Sequence, residues 1–474
     1  MSKINSMMDI GRRSMMNSQT ALQTVGHNIA NKSTEGYSRQ RVEIQANDPV
    51  GFGKLRIGTG SKTAKVTRIN NPYLEKQIGN ERNKLGFYQG KSDALVRVEQ
   101  VYNEQINKGL NTTLSEFFNA FRDFAVSPES LAARTQVREA AIGLARDFKR
   151  VSHQLGEIQN DIDQQVKTHV YEINELTREI AQLNEKIRTL EIGGGVANDE
   201  RDRRELLIKQ LGDKINIRWA EGADGMVTIT AGNTALLVTG FDAKELDAVA
   251  TPARGPKGNA NFDIIYKNSP SAAPVVVTHE ITGGRIGGLL EVRDQTINEL
   301  HDKLNQLAIR VAETVNNVHR QGFDAYDSEA GDFFEIDPAS DHPAETLMVA
   351  DVIVKDAGRI AAGARPFAPG DNTIANRISQ LQFEQVMDGG TATFDEFYNS
   401  MVGQVGVITR RAASAHESQS DIVKQLNNIR ESISGVSLDE EATKLIEFQK
   451  AFDASARLIR AADEMLDTVL NIKR

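Results

Sequence analysis

The chain has 474 residues, of which 39% are hydrophobic and none is cysteine, and its 65 acidic against 56 basic side chains give a formal net charge of −9. The absence of cysteine excludes disulfides, thiolate metal sites and a cysteine nucleophile, and an acidic chain without a basic block argues against nucleic acid as a partner. Because no run of about 18 apolar residues occurs, we predict no membrane-spanning helix and no membrane partner.

The first segment repeats apolar or small side chains in alternating steps of four and three. This is the period of a coiled coil, and it predicts a helix with an apolar seam along one face. The small members of the seam would let another backbone approach closely. The seam consists of Ile4, Met8, Gly11, Met15, Ser18, Leu22, Val25 and Ile29.

After this helix, Gly36 suits a left-handed residue at a helix end, and residues 37–66 predict extended structure with turns. The glycines of this stretch match neither a dinucleotide nor a P-loop spacing. Helical patterns follow over residues 73–124. From Ser127-Pro128, a start signal, an uninterrupted pattern to Ile192 predicts a helix on the order of 100 Å long.

Three glycines at 193–195 end the long helix, and a shorter one is predicted from Asn198 to about Leu211. The pattern then changes to short alternating runs between glycine turns, which predict strands at residues 215–219, 226–230, 235–239, 261–266 and 274–281. We interpret 213–282 as an inserted β-rich domain that a short linker could replace, with an exposed loop at 251–261.

Helix returns at about 289–320, followed by a loop-rich stretch to about Asp371, a helix at 394–430 and a C-terminal helix. The last helix carries a second seam with the same spacing as the first. It consists of Leu445, Phe448, Phe452, Ser455, Ile459, Ala462, Leu466 and Val469. Seams at opposite ends predict helices that pair with each other, with copies in neighbouring chains, or both. The alternative is two ordinary amphipathic helices docked on a globular core.

Two blocks of sequence resemble a known family. Residues 28–37, NIANKSTEGY, resemble the opening signature of flagellar rod, hook and hook-associated proteins, and Ser38-Arg39-Gln40 is similar to the hook-associated members. Residues 434–457, SGVSLDEEATKLIEFQKAFDASAR, resemble the closing block of the same family, although Phe448 and Phe452 stand where relatives often carry Tyr.

The resemblance implies a fold and a set of domains. It implies a mainly α, elongated protein with long coiled-coil-like helices and paired N- and C-terminal helices. Residues 1–45 with 437–474 would form a terminal domain lining an inner tube. Residues 46–212, 283–322 and 371–436 would form a long-helix domain, with 213–282 as the β insert and 323–370 as a loop-rich insert.

The resemblance also implies a function, a location and partners. The chain would be a structural subunit joining hook to filament, exported by the flagellar type III apparatus without a cleaved signal peptide. Its partners would be copies of itself, hook protein, a second junction protein or flagellin, and an export chaperone. The predicted assembly interface comprises Ile4, Met8, Met15, Leu22, Val25, Asn28, Ile29, Asn31, Gly36, Tyr37, Leu445, Phe448, Phe452, Ile459, Ala462, Leu466 and Val469. The predicted chaperone-binding residues are Leu445, Phe448, Phe452, Ile459, Leu466 and Val469.

No motif of catalysis or of cofactor binding is present, so we predict no enzyme, cofactor or metal. The histidines are scattered without metal-ligand spacing. Residues 324–335 have the ends of a calcium loop, but Tyr326, Ser328 and Glu329 replace required positions. The competing hypotheses are another flagellar axial protein, hook or rod, and a soluble enzyme or sensor with a coiled-coil arm. The latter would have a dominant pocket with convergent polar groups.

Overall fold

The computed structural model describes residues 2–52, 55–102, 109–251, 261–269 and 272–471. Helix dominates these ranges, as predicted. The α-helices are α1 (Ser2–Ala30), α2 (Pro72–Val101), α3 (Leu110–Val126), α4 (Leu131–Ile192), α5 (Asn198–Lys214), α6 (Gly284–Glu291), α7 (Asn298–His319), α8 (Pro343–Thr346), α9 (Asp351–Lys355), α10 (Thr373–Gln380), α11 (Phe394–Ser434) and α12 (Leu438–Asn471).

The strands pair antiparallel in small sheets. Their bounds are β1 (Gln40–Ala46), β2 (Val50–Phe52), β3 (Leu55–Ile57), β4 (Ser61–Arg68), β5 (Ile217–Glu221), β6 (Val227–Ala231), β7 (Ala235–Thr239), β8 (Asp242–Ala243), β9 (Leu246–Ala250), β10 (Phe262–Tyr266), β11 (Val275–Val276), β12 (Phe334–Glu335) and β13 (Met348–Val349).

The two ends of the chain meet: α1 packs along α12, which confirms the predicted pairing of the terminal helices. The β1–β4 ribbon lies against α1 as well. Asn17 of α1 fastens it, because its Oδ1 accepts the Thr63 N–H at 2.9 Å and its Nδ2 donates to the Ser61 carbonyl at 3.0 Å. The terminal unit is therefore a helix pair with a β ribbon along one side.

Helix α4 is the scaffold of the body and confirms the predicted long helix, with 62 residues. It begins later than predicted: Ser130, rather than Ser127, caps it, since its Oγ accepts the Ala133 N–H at 3.2 Å. Helices α2 and α11 pack on each other, and α3 packs on α4. Aromatic rings of α3, among them Phe117 and Phe121, meet Phe333 of the 323–370 insert, so the insert is part of the main core.

The helix predicted at 289–320 begins earlier and is not regular. It starts at Gly284, whose φ of +66° suits glycine, and residues Val292–Ile297 form a π-helix. There Arg293 is fully buried and bonds to Asp163 of α4, to Asp294 and to the Phe262 carbonyl. The wider turn therefore coincides with a buried ionic contact between α4, β10 and the helical body, and sequence periodicity does not report it.

Residues 213–282, which we call the β region, form a four-stranded sheet, β5-β6-β7-β8, and a three-stranded sheet, β11-β10-β9. Strand β9 was not predicted. The predicted strand at 274–281 is shorter, because Thr278 turns the chain into a 3₁₀ turn and its hydroxyl bonds the Ile264 N–H and Asp263. The predicted exposed loop at 251–261 falls largely on residues 252–260, which lie outside the described residues.

Over its described residues, the β region shares one core with the helices. Its inward residues, such as Ile229 and Ile264, belong to one cluster with Ile173 and Ile180 of α4. Asn184 of α4 reinforces the contact: its amide bonds both the N–H and the carbonyl of Val227. The expectation that a linker could replace this region stays a prediction, and the shared core counts against it, because removing the sheets would expose the apolar residues of α4 that they cover.

Most of the 323–370 insert is loop, as predicted, with the short elements β12, α8, β13 and α9. The calcium-like segment is a closed turn: Asp324 accepts the N–H groups of Tyr326 and Ser328 and pairs with Arg359 at 2.9 Å. Helix α10 was not predicted. Over the ranges that the structure describes, no helix has the length and apolar character needed to cross a membrane.

We predict that Asn184→Leu lowers the free energy of unfolding by about 3 kcal/mol. The substitution leaves buried backbone groups of β6 and the buried Arg204 guanidinium without the hydrogen bonds that Asn184 makes to them. The matched control is Asn160→Leu, an exposed position of the same helix, with a change below about 0.5 kcal/mol. Thermal or chemical unfolding followed by circular dichroism measures both. Equal stability of the two variants would contradict the shared core.

Candidate assembly site: the terminal helix pair and its base

Small residues set the spacing of the terminal pair, as the sequence predicted. A Cβ placed on Gly11 would lie 2.7 Å from Ile459 Cγ1, closer than atoms tolerate. One turn further, the Ser455 hydroxyl donates to Ser14 Oγ at 2.7 Å. Ala462 is fully buried against α1 although it carries a single methyl group. The two backbones therefore approach closely where the seams carry glycine, serine and alanine.

The pair covers only part of the predicted seams. Val25 and Ala462 are buried, whereas Leu445 and Val469 remain 36% and 40% exposed. Gly11, Ser18 and Ser455 are also buried, and the remaining predicted seam positions are half-buried: Ile4, Met8, Met15, Leu22, Ile29, Phe448, Phe452, Ile459 and Leu466. Further apolar side chains of α12 lie exposed beside Leu445 and Val469, namely Ile446, Met465 and Leu470. Helix α12 thus carries several large apolar side chains that the described residues of the single chain leave exposed.

At the end of α1 the signature residues build a polar connection that we call the base of the pair. It comprises Asn28, Gly36, Tyr37, Arg39, Gln40, Arg430 and Glu441. Its centre is Asn28, only 1% exposed. The Asn28 Oδ1 accepts the Tyr37 hydroxyl at 2.7 Å and the Gln40 N–H at 2.9 Å, and its Nδ2 donates to the Gln40 carbonyl and to Glu441, both at 2.9 Å. Every hydrogen-bonding site of the amide is used.

Gly36 and Tyr37 join the base to the body. The helix ends at Ala30, and Gly36 closes the following turns with a φ of +82°, where a Cβ would meet Leu206 of α5 at 3.1 Å. Arg430 of α11 donates to the carbonyls of Gly36 and Tyr37 at 3.1 and 3.2 Å. Burial raises the pKa of Tyr37, and the negative charges of Asp199, Asp202 and Glu441 raise it further. The phenol therefore stays protonated and donates to Asn28.

Arg39 connects the base to the first turn of α12. Its guanidinium pairs with Glu440 at 2.7 Å and with Glu441 at 2.6 Å. The backbone N–H of Arg39 donates to the Ser434 carbonyl at 2.9 Å. Burial lowers the pKa of Arg39, but the hydrogen bonds to the two glutamates outweigh it and raise the pKa overall. The start of α12 is therefore held by charge as well as by the apolar seam.

The structure brings Asn28, Gly36 and Tyr37 together but not Asn31. Asn31 bonds only to neighbours in its own turn, the His27 carbonyl and the Thr34 hydroxyl, each at 3.1 Å. Sequence reasoning did not assign roles to Arg39, Gln40, Arg430 or Glu441. Arg39 and Glu441 both lie within the family motifs and have opposite charges. They are 402 positions apart, however, so the sequence does not show that they form an ion pair.

One cavity is lined by charged side chains that already pair with one another. It encloses about 690 Å³ between α2, α5 and β5, with Trp219 in its wall. Its carboxylates are engaged in ion pairs: Glu75 with Lys209 and Arg430, Glu205 with Arg68, and Glu221 with Arg201 and Arg204. Across the described part of the chain, no three His, Cys, Asp or Glu side chains are placed to hold a metal ion.

The long helices of the body and the pairing of the two terminal helices are typical of a structural subunit. A family model described as the flagellar hook-associated protein FlgK helical domain matches residues 95–334. A second model, the flagellar basal body rod FlgEFG protein C-terminal, matches residues 430–472. The chain belongs to the flagellar hook-associated protein 1 (FlgK) family.

Individual relatives agree with this assignment. The chain is 28% identical to flagellar hook-associated protein 1 of Bacillus subtilis (strain 168), over 98% of this chain and 97% of that one. It is 25% identical to the protein of the same name from Salmonella typhimurium, over 96% and 97%. The flagellar hook junction protein FlgK from Burkholderia pseudomallei has a similar fold, with a TM-score of 0.68 at 14% identity over 76% of this chain and all of that chain.

Family membership settles the class of function. The chain is a structural protein of the hook–filament junction in the extracellular part of the flagellum, and the family is not enzymatic. The sequence hypothesis of an enzyme or sensor with a coiled-coil arm is therefore wrong, and so is the alternative of a hook or rod protein.

We predict that Asn28→Ala lowers the free energy of unfolding of the terminal pair by about 3 kcal/mol, since Gln40 and Glu441 lose buried partners. Asn31→Ala, which removes only bonds within one turn, is the control and should cost less than about 1 kcal/mol. Hydrogen exchange of α12 reports both. Equal protection of α12 in the two variants would show that Asn28 does not hold the pair.

We further predict that Gly11→Leu separates α1 from α12, because the new side chain overlaps Ile459. Trypsin should then cleave α12 at Arg457 and Arg460 at least tenfold faster than in the unaltered chain. Gly26→Leu is the control: a Cβ at Gly26 meets nothing within 4 Å, so this variant should resist trypsin at least as well as the unaltered chain. A resistant Gly11→Leu variant would contradict the close approach.

Proposed function

We propose that the chain joins hook to filament by packing its terminal pair against the terminal pairs of neighbouring copies around a common axis. The observation that carries the proposal is the set of apolar side chains of α12 that stay exposed although the helix is paired with α1, namely Leu445, Ile446 and Val469. Burying such side chains contributes about 25 cal/mol for each Å² removed from water. A face that one chain leaves open therefore becomes stabilising only when copies assemble.

The base supports the proposed domain division. It lies at residues 28–40 and 430–441, next to the proposed borders of the terminal domain at 45 and 437, and Arg430 of α11 joins it to the body through the Gly36 carbonyl. In the proposed arrangement, 1–45 with 437–474 line the inner tube, the long helices form the next shell and 213–282 faces outward. The loop-rich stretch 323–370 belongs with the shell.

The signature residues would then act in two ways. Asn28, Tyr37 and Gly36 point inward, so we infer that they contribute to the assembly interface by fixing the orientation of α1. Asn31 lies at the edge of an exposed turn, residues 32–35, which is available to a neighbouring copy. The half-buried seam positions would be covered fully only in the assembly.

The proposed partners are copies of this chain, hook protein on one side, and a second junction protein or flagellin on the other. Nucleic acid and membrane are not among them. The names of the relatives, which refer to hook association and to a hook junction, support the hook as a neighbour.

An export chaperone is the further proposed partner, covering α12 before assembly. Phe448, Phe452, Ile459 and Leu466 lie against α1 in the paired form, so a chaperone that reads them binds before α1 and α12 pair. Leu445 and Val469 are accessible in both states. An apolar helical stripe of this kind is the pattern that groove-binding partners recognise.

The double variant Leu445→Asp, Val469→Asp tests the proposal. Because both side chains are exposed in the single chain, we expect an unchanged melting temperature, with self-association weakened at least tenfold by the charges placed in the interface. Capture by the flagellar export chaperone should fall as well. Analytical ultracentrifugation, electron microscopy of assembled junctions and a pull-down provide the readouts.

The matched control is Val249→Asp, Val276→Asp, at positions of the β region that are 40% and 38% exposed. It should assemble and bind chaperone like the unaltered chain. Assembly of the α12 variant at the control level would refute the α12 interface, and unchanged chaperone capture would refute only the chaperone proposal.

A further inference from the structure

Two buried histidines of α7 fasten the 323–370 insert to the body. They are spaced 18 positions apart, which is five turns of an α-helix, so they lie on one face of α7. His301 is 4% exposed and His319 is 1% exposed. Both contact the insert, His301 through His342 and His319 through Gly331 and Ala361.

His319 is held as a neutral ring by two backbone groups. Its Nδ1 donates to the Gly331 carbonyl at 2.8 Å, and its Nε2 accepts the Ala361 N–H at 2.9 Å. A neutral imidazole can both donate and accept, whereas a protonated one can only donate. Protonation of His319 therefore breaks the bond to Ala361 and leaves that buried N–H opposite a new proton.

His301 lies in a pocket without a bonding partner for a second proton. Its ring centre is 4.5 Å from that of His342, and its Nδ1 is 3.4 Å from Ser152 Oγ of α4. Within the described residues, His301 Nε2 and His342 Nδ1 are buried and have no hydrogen-bond partner. Close to the two histidines, the Ala344 N–H of α8 donates to Asn305 Oδ1 of α7 at 3.1 Å, so α8 is bonded to α7 at this point.

The groups around His301 offer little compensation for a positive charge. Asn298 and Asn305, on the neighbouring turns of α7, are neutral, as is Ser152 of α4, and Asp341 of the insert is exposed. Burial, and to a smaller extent the neighbouring His342, lowers the pKa of His301 to about 3.

The groups around His319 are mixed. Burial lowers the pKa of His319 to about 4; the Gly331 carbonyl, Asp332 and Asp324 act against burial, and Arg134 acts with it. Both rings are thus neutral in the folded chain at neutral pH, although an exposed histidine begins to charge near pH 6.5.

We propose that His301 and His319 form an acid-sensitive latch, which holds the 323–370 insert on α7 at neutral pH and releases it in acid. Both rings have folded-state pKa values below the unfolded value of about 6.5. Their stabilisation is therefore complete above about pH 6.5 and is lost as the pH falls from 6.5 towards 4 and 3. Between about pH 7 and pH 5, each histidine shifts the closed-to-open ratio by a factor on the order of 20.

Hydrogen exchange of the full chain at about pH 7 and pH 5, corrected for the intrinsic rate, tests the latch. Peptides from 323–370 should lose protection in acid before peptides from α4 do. The double variant His301→Leu, His319→Gln cannot titrate, and Gln can still donate and accept. It should keep the insert closed at neutral pH and lose the acid response of these peptides. His153→Gln, at an exposed histidine of α4, should respond like the unaltered chain.

Two results would overturn the proposal: an insert equally protected at both pH values in the unaltered chain, or an acid response that survives in the double variant. If the double variant does not fold, the single variant His319→Gln replaces it. It retains both backbone bonds and should reduce the shift between the two pH values by a factor on the order of 20, and an undiminished shift would again refute the latch.

Discussion

An asparagine side chain on a helix that bonds both backbone groups of one residue in a neighbouring segment recurs through this structure. Asn28 does this to Gln40, Asn174 to Leu246, Asn184 to Val227 and Asn316 to Phe334. Apolar packing is non-directional and lets a strand slide on a helix, whereas a buried amide with two matched bonds fixes the register. These four residues therefore fix the positions of the ribbon, both β sheets and the insert on the helices.

Sequence periodicity predicted the elements with a long apolar pattern: the terminal seams, the helix ending at Ile192 and most strands. It could not predict the asparagine contacts, because an asparagine on an apolar face has no visible partner until the fold brings one. The same holds for Arg39 and Glu441, whose charges were evident but whose pairing depends on two helix ends meeting. The π-helix around Arg293 departs from the regular helical period, so sequence periodicity did not predict it.

The strands of the β region could be predicted from local sequence patterns, but their packing on α4 could not. Turn residues and alternation located its strands, and its composition differs from that of the surrounding helices, which suggested an independent insert. Yet the apolar side of its sheets is covered by Ile173 and Ile180 of α4, and Asn174 and Asn184 of the same helix bond its strands. A sequence shows that a strand has an apolar side, but it does not show whether the residues covering that side come from the same segment.

The bond between Asn28 and Glu441 joins positions 413 residues apart. Because the ribosome makes α1 before α12, α1 has the β1–β4 ribbon but not its helical partner while the body between the two helices is made and can already fold. Contacts between such distant positions also form slowly. The pair thus closes only after α12 has been made, and a chain that terminates before α12 lacks both the base and the exposed apolar side chains of α12. Coupling assembly to this contact would exclude truncated subunits from the junction without a separate inspection step.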